Sequence, residues 1–411
     1  MEEVERGALR IEWARNHMPV LLESTQEMVD ERSLEDQRIG MAMHVEAKTA
    51  VLALRLQEAG ARVSLTSCNP LTTDDAVAVA LEERFDLETF AKRGQRKEEY
   101  YDSLHKVLDS RPEIVVDDGA DLIYLLHTDR TELLGGVKGG SEETTTGVLR
   151  LRVMEREGQL KFPIINVNDA RMKHLFDNRY GTGQSTLDGI MSATNLLLAG
   201  KRFTVAGYGW CGRGIALRAR GMGSHVIVTE VDPVKAVEAK LDGFEVMPMK
   251  EAARISDFIV TATGVEDVVT EEHLKVLKDG CVLANAGHFD VEVSKAALQS
   301  MSTSRRRVRD FVEEYVLEGG KRAYLLGEGR LINLVAGQGH PVEIMDTSFA
   351  LQALSAAHLG KHHADMDSKV HPVPRELDEE VARIRLRTMG VEIDSLTQAQ
   401  LRYTSSWKVG T

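Results

Sequence analysis

Three short segments of this chain hold residue types whose spacing suits chemistry. In the first, Phe203-Thr204-Val205-Ala206 runs into Gly207-Tyr208-Gly209-Trp210-Cys211-Gly212. This reads as a strand, a glycine turn and the start of a helix. Gly207, Gly209 and Gly212 fit G-x-G-x-x-G. The first glycine allows a tight turn, the second lets a pyrophosphate approach the backbone, and the third lets helix and strand pack closely. The helix then points its first N–H groups at the phosphates. A second strand, His225 to Thr229, ends in Glu230, 18 residues after Gly212. A dinucleotide-binding fold places a carboxylate there, on the ribose 2′-hydroxyl, where it would repel a 2′-phosphate. The expected cofactor is therefore NAD rather than NADP. The bland alternative, a merely tight turn between strand and helix, does not account for the acid that follows.

The second segment, Ser141-Glu142-Glu143-Thr144-Thr145-Thr146-Gly147, sets carboxylates beside three hydroxyls. It reads either as ordinary capping, with Ser141 as N-cap and two acids in the first turn, or as a binding loop. In the third, Lys173 and Asp177 lie four residues apart, on one face if helical. That is either a surface ion pair or a lysine held near a substrate hydroxyl by a carboxylate. His288 and His340 each follow a glycine at the end of an expected strand, where a histidine is either a proton carrier or a satisfied polar residue.

Alternating elements must position these groups. Val45 to Ala59 and Asp74 to Glu83 read as helices; Pro19 to Leu22, Ala61 to Thr66, Glu113 to Val116 and Phe162 to Val167 read as strands. After the glycine turn, Phe258 to Gly264, Cys281 to Gly287 and Leu331 to Val335 continue the strands, and Ser348 to His358 reads as a helix. Such alternation implies parallel, doubly wound sheets, which bind ligands at the carboxyl ends of their strands. Asp118 and Asn168 fall at such ends. The expected fold is α/β, with two doubly wound parallel-sheet domains and a small C-terminal helical tail. The expected divisions are a substrate domain over 1–180, a Rossmann NAD domain over 181–339, a return segment over 340–370 that packs on the substrate domain, and an oligomerisation tail over 371–411.

The chain has 411 residues, 43% of them apolar but only 5% aromatic, so its cores must be aliphatic. A net charge of −13 argues against nucleic-acid or anionic-membrane partners. The basic run Arg305-Arg306-Arg307-Val308-Arg309 reads as a solvated helix face. Cys68, Cys211 and Cys281 lie far apart, which excludes a disulfide framework and a structural zinc site and fits a reducing compartment. No signal-peptide core and no apolar run of membrane-spanning length is present. A cytoplasmic protein is expected.

Together these segments resemble the signature set of S-adenosylhomocysteine hydrolase (adenosylhomocysteinase). The strings Asp117-Asp118-Gly119, Ser141 to Gly147, Phe176-Asp177-Asn178, Ala206 to Gly209, Asn285 to Asp290 and Gly327 to Leu334 occur in the family's order, and the resemblance covers nearly the whole chain. It implies one tightly held NAD per subunit, which oxidises the ribose 3′-hydroxyl of the substrate. The ketone acidifies C4′–H, homocysteine thiolate leaves C5′, water adds, and the ketone is reduced again. It further implies that Lys173 with Asp177 binds the 3′-hydroxyl and takes its proton, which requires burial or a nearby cation to lower the lysine pKa. Glu143 would hold the ribose hydroxyls. Asp118, His44 and His288 would handle protons at C4′ and C5′, and His340 would border the access channel. Thr144, Thr145, Thr146, Asn178, Gly207, Gly209, Gly212, Glu230, Thr263, Gly264, Ala286, Gly287 and Asn333 would contact NAD, with Ile255 to Gly264 along its adenosine side. Glu46, Lys48, Asn69, Gln338 and Met345 would meet the substrate. No metal is implied. The implied partners are a small-molecule substrate and three further copies of the chain, in a homotetramer whose members each close around substrate by a hinge between the two domains.

The chain departs from the animal-type pattern near the purine. Glu46 and Lys48 stand where Thr and Glu are familiar, and Gln338 replaces a Met. The tail from Tyr403 to Thr411 lacks the longer Lys…Tyr extension that caps a neighbour's cofactor, so weaker NAD retention is expected. These features resemble the shorter archaeal and thermophilic-bacterial branch. A carboxylate offers only acceptors and an ammonium only donors. Glu46 therefore suits the N6 amine of adenine, Lys48 suits O6 of hypoxanthine, or the two neutralise each other. S-adenosylhomocysteine is the expected substrate and S-inosylhomocysteine the alternative. Two competing classes are an ordinary NAD-dependent dehydrogenase, which needs added NAD, and a catalytically dead NAD-binding homologue, which should have lost the residues retained here.

Overall fold

The computed structural model describes residues 2–407. The end of the tail, residues 408–411, lies outside them. Among the described residues the strands form two sheets. The first is built from β1 (Arg38–Ala42), β2 (Arg62–Thr66), β3 (Glu88–Thr89), β4 (Ile114–Asp117), β5 (Gly139–Glu142) and β6 (Ile164–Asn166). The second contains β7 (Arg202–Ala206), β8 (His225–Thr229), β9 (Glu245–Val246), β10 (Phe258–Thr261), β11 (Cys281–Asn285), β12 (Ser302–Arg309), β13 (Val312–Leu317) and β14 (Arg322–Leu326). A last strand, β15 (Val370–Pro372), returns to the first sheet.

The first sheet is wholly parallel in the order β15-β6-β5-β4-β1-β2-β3. Its central strands are buried on both faces, as βαβ crossovers require. The chain leaves β1 toward β2 on one side and reaches β4 on the other, so a crevice opens between the carboxyl ends of β1 and β4. The second sheet runs β12-β13-β14-β11-β10-β7-β8-β9, with the same reversal between β7 and β10. His44 and Asp118 follow the first pair of strands. Gly207 and Thr263 follow the second. The long helix Val342–His362 crosses back and packs on β4 and β5.

Several expectations change. Pro19–Ser24 is a helix, not a strand: proline starts it, and Asp346 accepts from Val20 N (3.0 Å) and Leu21 N (2.7 Å). Asp346→Ala leaves those buried donors unpaired and is expected to cost about 1–3 kcal/mol, read as a lower denaturant midpoint; an unchanged midpoint would contradict the capping role. Leu331 to Val335 is not a late strand. The place beside β11 is taken by β14, so Leu331 makes one bridge to Asn285 and Ile332–Val335 turns into helix. The basic run is the edge strand β12, not a helix, with Arg305 and Arg306 paired across to Glu313 and Glu314. Such charges suit an open sheet edge. β12 and β13 also make the second sheet mixed rather than purely parallel. The expected boundary at 371 falls inside β15. The following helix Arg375–Thr388 buries Val381 and Ile384 in the same core as the first sheet.

Candidate active site

Lys173 sits on the short helix Arg171–His174, whose first N–H groups are capped by Asp378 from the C-terminal helix (Arg171 N at 3.0 Å, Met172 N at 2.8 Å). Its Nζ lies 3.2 Å from Asp177 Oδ1 and 3.4 Å from Glu143 Oε1, and donates to Asn178 Oδ1 at 2.9 Å. A turn of π-helix, Asp177–Gly181, carries Asp177. Its Oδ2 accepts from Ser348 (2.8 Å), and His340 Nδ1 is 3.3 Å from Oδ1. Gln352 holds the other oxygen of Glu143. All three charged groups are buried. Burial alone would lower the lysine, but Asp177 and Glu143 outweigh it and hold Lys173 above its ordinary value. The expected depression is therefore not found; the side chain is an ammonium in this arrangement. Asp177 resists its own burial because Lys173 and His340 stabilise its charge, and it stays below the carboxylate range. Burial instead pushes Glu143 up to about 7, against the pull of Lys173. Two carboxylates beside one ammonium thus have separated affinities for a proton, which is how acid and base roles are divided.

A second cluster lines the same cavity. Asp118 follows β4, His44 follows β1, and His288 reaches over from the loop after β11. Asp118 lies 3.5 Å from His44 Nε2 and 3.6 Å from His288 Nδ1. Gly119 makes the approach possible: a Cβ there would stand 2.5 Å from His288 Nε2. Burial lowers both histidines, His44 to about 3, and raises Asp118. The trio consists of neutral imidazoles beside a reluctant carboxylate, which can pass protons without fixed charge. Ligand-capable atoms of these three residues fall within 4.8 Å of one another, a spacing a divalent cation could also span.

Both clusters line one cavity of 1310 Å³, which continues to the glycine turn. Drug-sized ligands occupy roughly 300–1,000 Å³, so this cavity has room for a dinucleotide and a nucleoside together. The turn fits NAD. Gly207 has φ +95°, and a Cβ on Gly212 would stand 1.9 Å from the Gly207 carbonyl. Nothing lies within 4 Å of a Cβ placed on Gly209, which leaves that face open for a pyrophosphate. Glu230 is held by the N–H groups of Tyr208 (2.7 Å), Val231 and Asp232, at the height where a ribose would lie. Asn333 Oδ1 and Asp118 Oδ1 are buried with no hydrogen-bond partner, as expected of walls that receive polar ligands.

The structure brings His44, Glu46, Lys48, Asp118, Glu143, Lys173, Asp177, His288, His340 and Met345 to this cavity. Thr144, Thr145, Thr146, Asn178, Gly207, Gly209, Glu230, Thr263, Gly264, Ala286, Gly287 and Asn333 also line it. Gly212 lies beneath the turn instead, in the packing role. Asn69 does not reach the wall; it is buried in its own loop, where Oδ1 accepts from Leu71 N. The Gln338 side chain is exposed, and only its carbonyl takes part, accepting from Lys48 Nζ at 3.0 Å. Glu46 and Lys48 pair at 3.1 Å. Of Ile255 to Gly264 only the last three residues line the cavity, because Phe258–Thr261 are buried within β10 and Ile255 to Asp257 precede that strand; Val246 to Met249 line the cavity instead. Ser141 is not an N-cap. It ends inside β5, and Thr144 caps the helix Thr145–Arg156 through Gly147 N. Sequence reasoning missed Ser348, Gln352 and Asp378, whose polar side chains interrupt otherwise apolar helix faces, and Glu292, which fixes Thr263 and Gly264.

Residues 1–134 match the family described as S-adenosyl-L-homocysteine hydrolase, and residues 178–339 match its NAD binding domain. Adenosylhomocysteinase of Archaeoglobus fulgidus is 57% identical over 98% of this chain and 100% of its own length. S-inosyl-L-homocysteine hydrolase of Methanococcus maripaludis is 55% identical over 98% and 97%. In fold alone the chain is like a dipicolinate synthase polypeptide of Bacillus halodurans, with a TM-score of 0.50 at 13% identity over 80% of this chain and 100% of that one. Sequence, sheet order and cavity agree: the chain belongs to the S-adenosyl-L-homocysteine hydrolase family, in the branch shared with the archaeal enzymes.

Proposed function

We propose that this protein reversibly hydrolyses S-adenosyl-L-homocysteine to adenosine and L-homocysteine. The observation that carries this reading is the pair of proton-handling clusters that line one cavity running on to the glycine turn. Bound NAD supplies the oxidising equivalent for the ribose 3′-carbon and returns it before product leaves. Gly207, Gly209, Glu230 and Asn333 would hold it, together with Thr144 to Thr146, which line the same cavity. Glu143 would orient the ribose hydroxyls, and Asn178, which accepts from Lys173, would contact the cofactor. Lys173, held as an ammonium by Asp177 and Glu143, donates to the 3′-oxygen and stabilises the charge that develops there, while Glu143, which burial raises to about 7, takes the hydroxyl proton. Asp118, flanked by His44 and His288, removes the C4′ proton, and the imidazoles deliver it to the departing sulfur. His340 closes the channel beside Asp177. The test is incubation with S-adenosylhomocysteine and no added cofactor, read as thiol release. A requirement for added NAD with net reduction of it would instead indicate an ordinary dehydrogenase.

S-inosyl-L-homocysteine is the second reading, favoured by one observation. Lys48 uses two of its three donors, on Glu46 and on the Gln338 carbonyl, and keeps one for a purine O6. Comparing kcat/KM for the two thioethers decides between them, and a strong inosyl preference would overturn the adenosyl reading. Lys48→Met is expected to lower kcat/KM for the inosyl thioether about tenfold more than for the adenosyl one, the worth of one charged hydrogen bond. Cytoplasmic location and a homotetramer are part of the same reading. Exposed Ile393, Leu396 and Tyr403 at the end of the chain support a contact between copies.

A further inference from the structure

We propose that Glu142 is a positioning residue whose carboxylate fixes the Asp118–Gly119 turn and the Thr144 loop in one register. This rests on the function proposed above and adds a residue to it. Glu142 ends β5 and is fully buried. A single oxygen, Oε1, accepts from Gly119 N at 2.8 Å, Thr144 N at 2.9 Å and Thr144 Oγ1 at 2.7 Å. The first donor belongs to the turn that carries Asp118. The other two belong to the residue that begins the cofactor wall. The main-chain carbonyl of Glu142 also accepts from Val167 and Asn168, and Asn168 continues the chain of contacts through Thr145 and Asn178 toward Lys173. One residue that reaches no cavity wall thus ties together the loops of both proton-handling clusters.

The second oxygen, Oε2, has no partner. Capping would not require a buried carboxylate in this place, beside Asp117 and Asp118. A joint that must hold three donors at one point does require it, since one carboxyl oxygen accepts them all even though burial beside Asp117 and Asp118 raises the group well above its ordinary value. Gly147 keeps the space open: a Cβ there would stand 2.2 Å from the Glu142 carboxyl carbon.

Glu142→Ala is expected to lower kcat about 100-fold, the loss that a displacement near 1 Å produces. KM for S-adenosylhomocysteine should stay within about threefold, because Glu46, Lys48 and Met345 are untouched. Glu142→Gln keeps one carbonyl oxygen for the three donors and should recover kcat to within about tenfold of the parent. Gly147→Ala keeps the Glu142 side chain but pushes its carboxyl group aside, and should reproduce the loss. These two variants carry the test if the alanine protein does not fold. Retained kcat in Glu142→Ala or Gly147→Ala, or a glutamine variant no better than the alanine one, overturns the proposal. Failure of the parent enzyme to release thiol overturns the reading on which it rests.

Discussion

Lys173→Ala lowers thiol release from S-adenosylhomocysteine by about four orders of magnitude, the upper range for loss of a positioned acid–base group. The size follows from the surroundings. Without the ammonium, Asp177 and Glu143 are left in a buried site that has lost the charge they share. Glu143, already raised by burial, then rises further and holds a proton through the working pH range. Substrate hydroxyls lose their proton acceptor and one of their carboxylate ligands together. Turnover assayed across pH 5 to 9 is the measurement, with NAD retention by gel filtration as control. Undiminished turnover would refute the assignment of Lys173, and loss of NAD alone would move its role to cofactor binding.

Alanine at two glycines of the turn gives opposite signatures. Gly212→Ala drives a methyl group into the Gly207 carbonyl. The helix must move off the strand, at a cost of about 1–3 kcal/mol of overpacking, and the melting temperature falls. Gly209→Ala meets nothing within 4 Å and leaves the melting temperature of the NAD-free protein unchanged, but its methyl group stands where the pyrophosphate approaches. Purified Gly209→Ala should therefore carry little NAD and regain activity only in excess cofactor. The reverse pattern, a destabilised Gly209 variant with full NAD, would contradict the role assigned to the turn.

The parts of the site that are legible in the sequence are those in which local chemistry dictates local structure. A glycine turn between β-branched strands can be read directly, and so can Asp74 as the cap of Asp75–Phe85. Strands set by their neighbours are less visible. β5 is Gly139-Gly140-Ser141-Glu142, a poor strand by propensity, and it is extended because β4 and β6 pair with it on both sides. β1 contains Gly40, whose small size admits Pro112 and Val107, and this hides its apolar pattern. The run Pro19 to Leu22 has no period that separates strand from buried helix; the deciding carboxylate, Asp346, lies more than 300 residues away. The charge state of Lys173 is hidden for the same reason. Its environment combines burial with carboxylates from three separate segments, and no spacing in the sequence weighs these against one another.

His288 belongs to one sheet, and Asp118 and Gly119 belong to the other. The consequence concerns timing. A trio assembled from two bodies exists only while they are together, and a rotation that opens the crevice separates Asp118 from His288 before it disturbs either fold. Lys173 and Glu143, by contrast, both follow strands of the first sheet, and their contact would survive such a movement. Under the roles proposed above, the groups that serve the 3′-hydroxyl would stay together if the sheets parted, whereas those that serve C4′ would be complete only when the sheets meet. The order of events would then follow from which sheet each side chain is attached to, and the second step would wait until both sheets have met around the substrate.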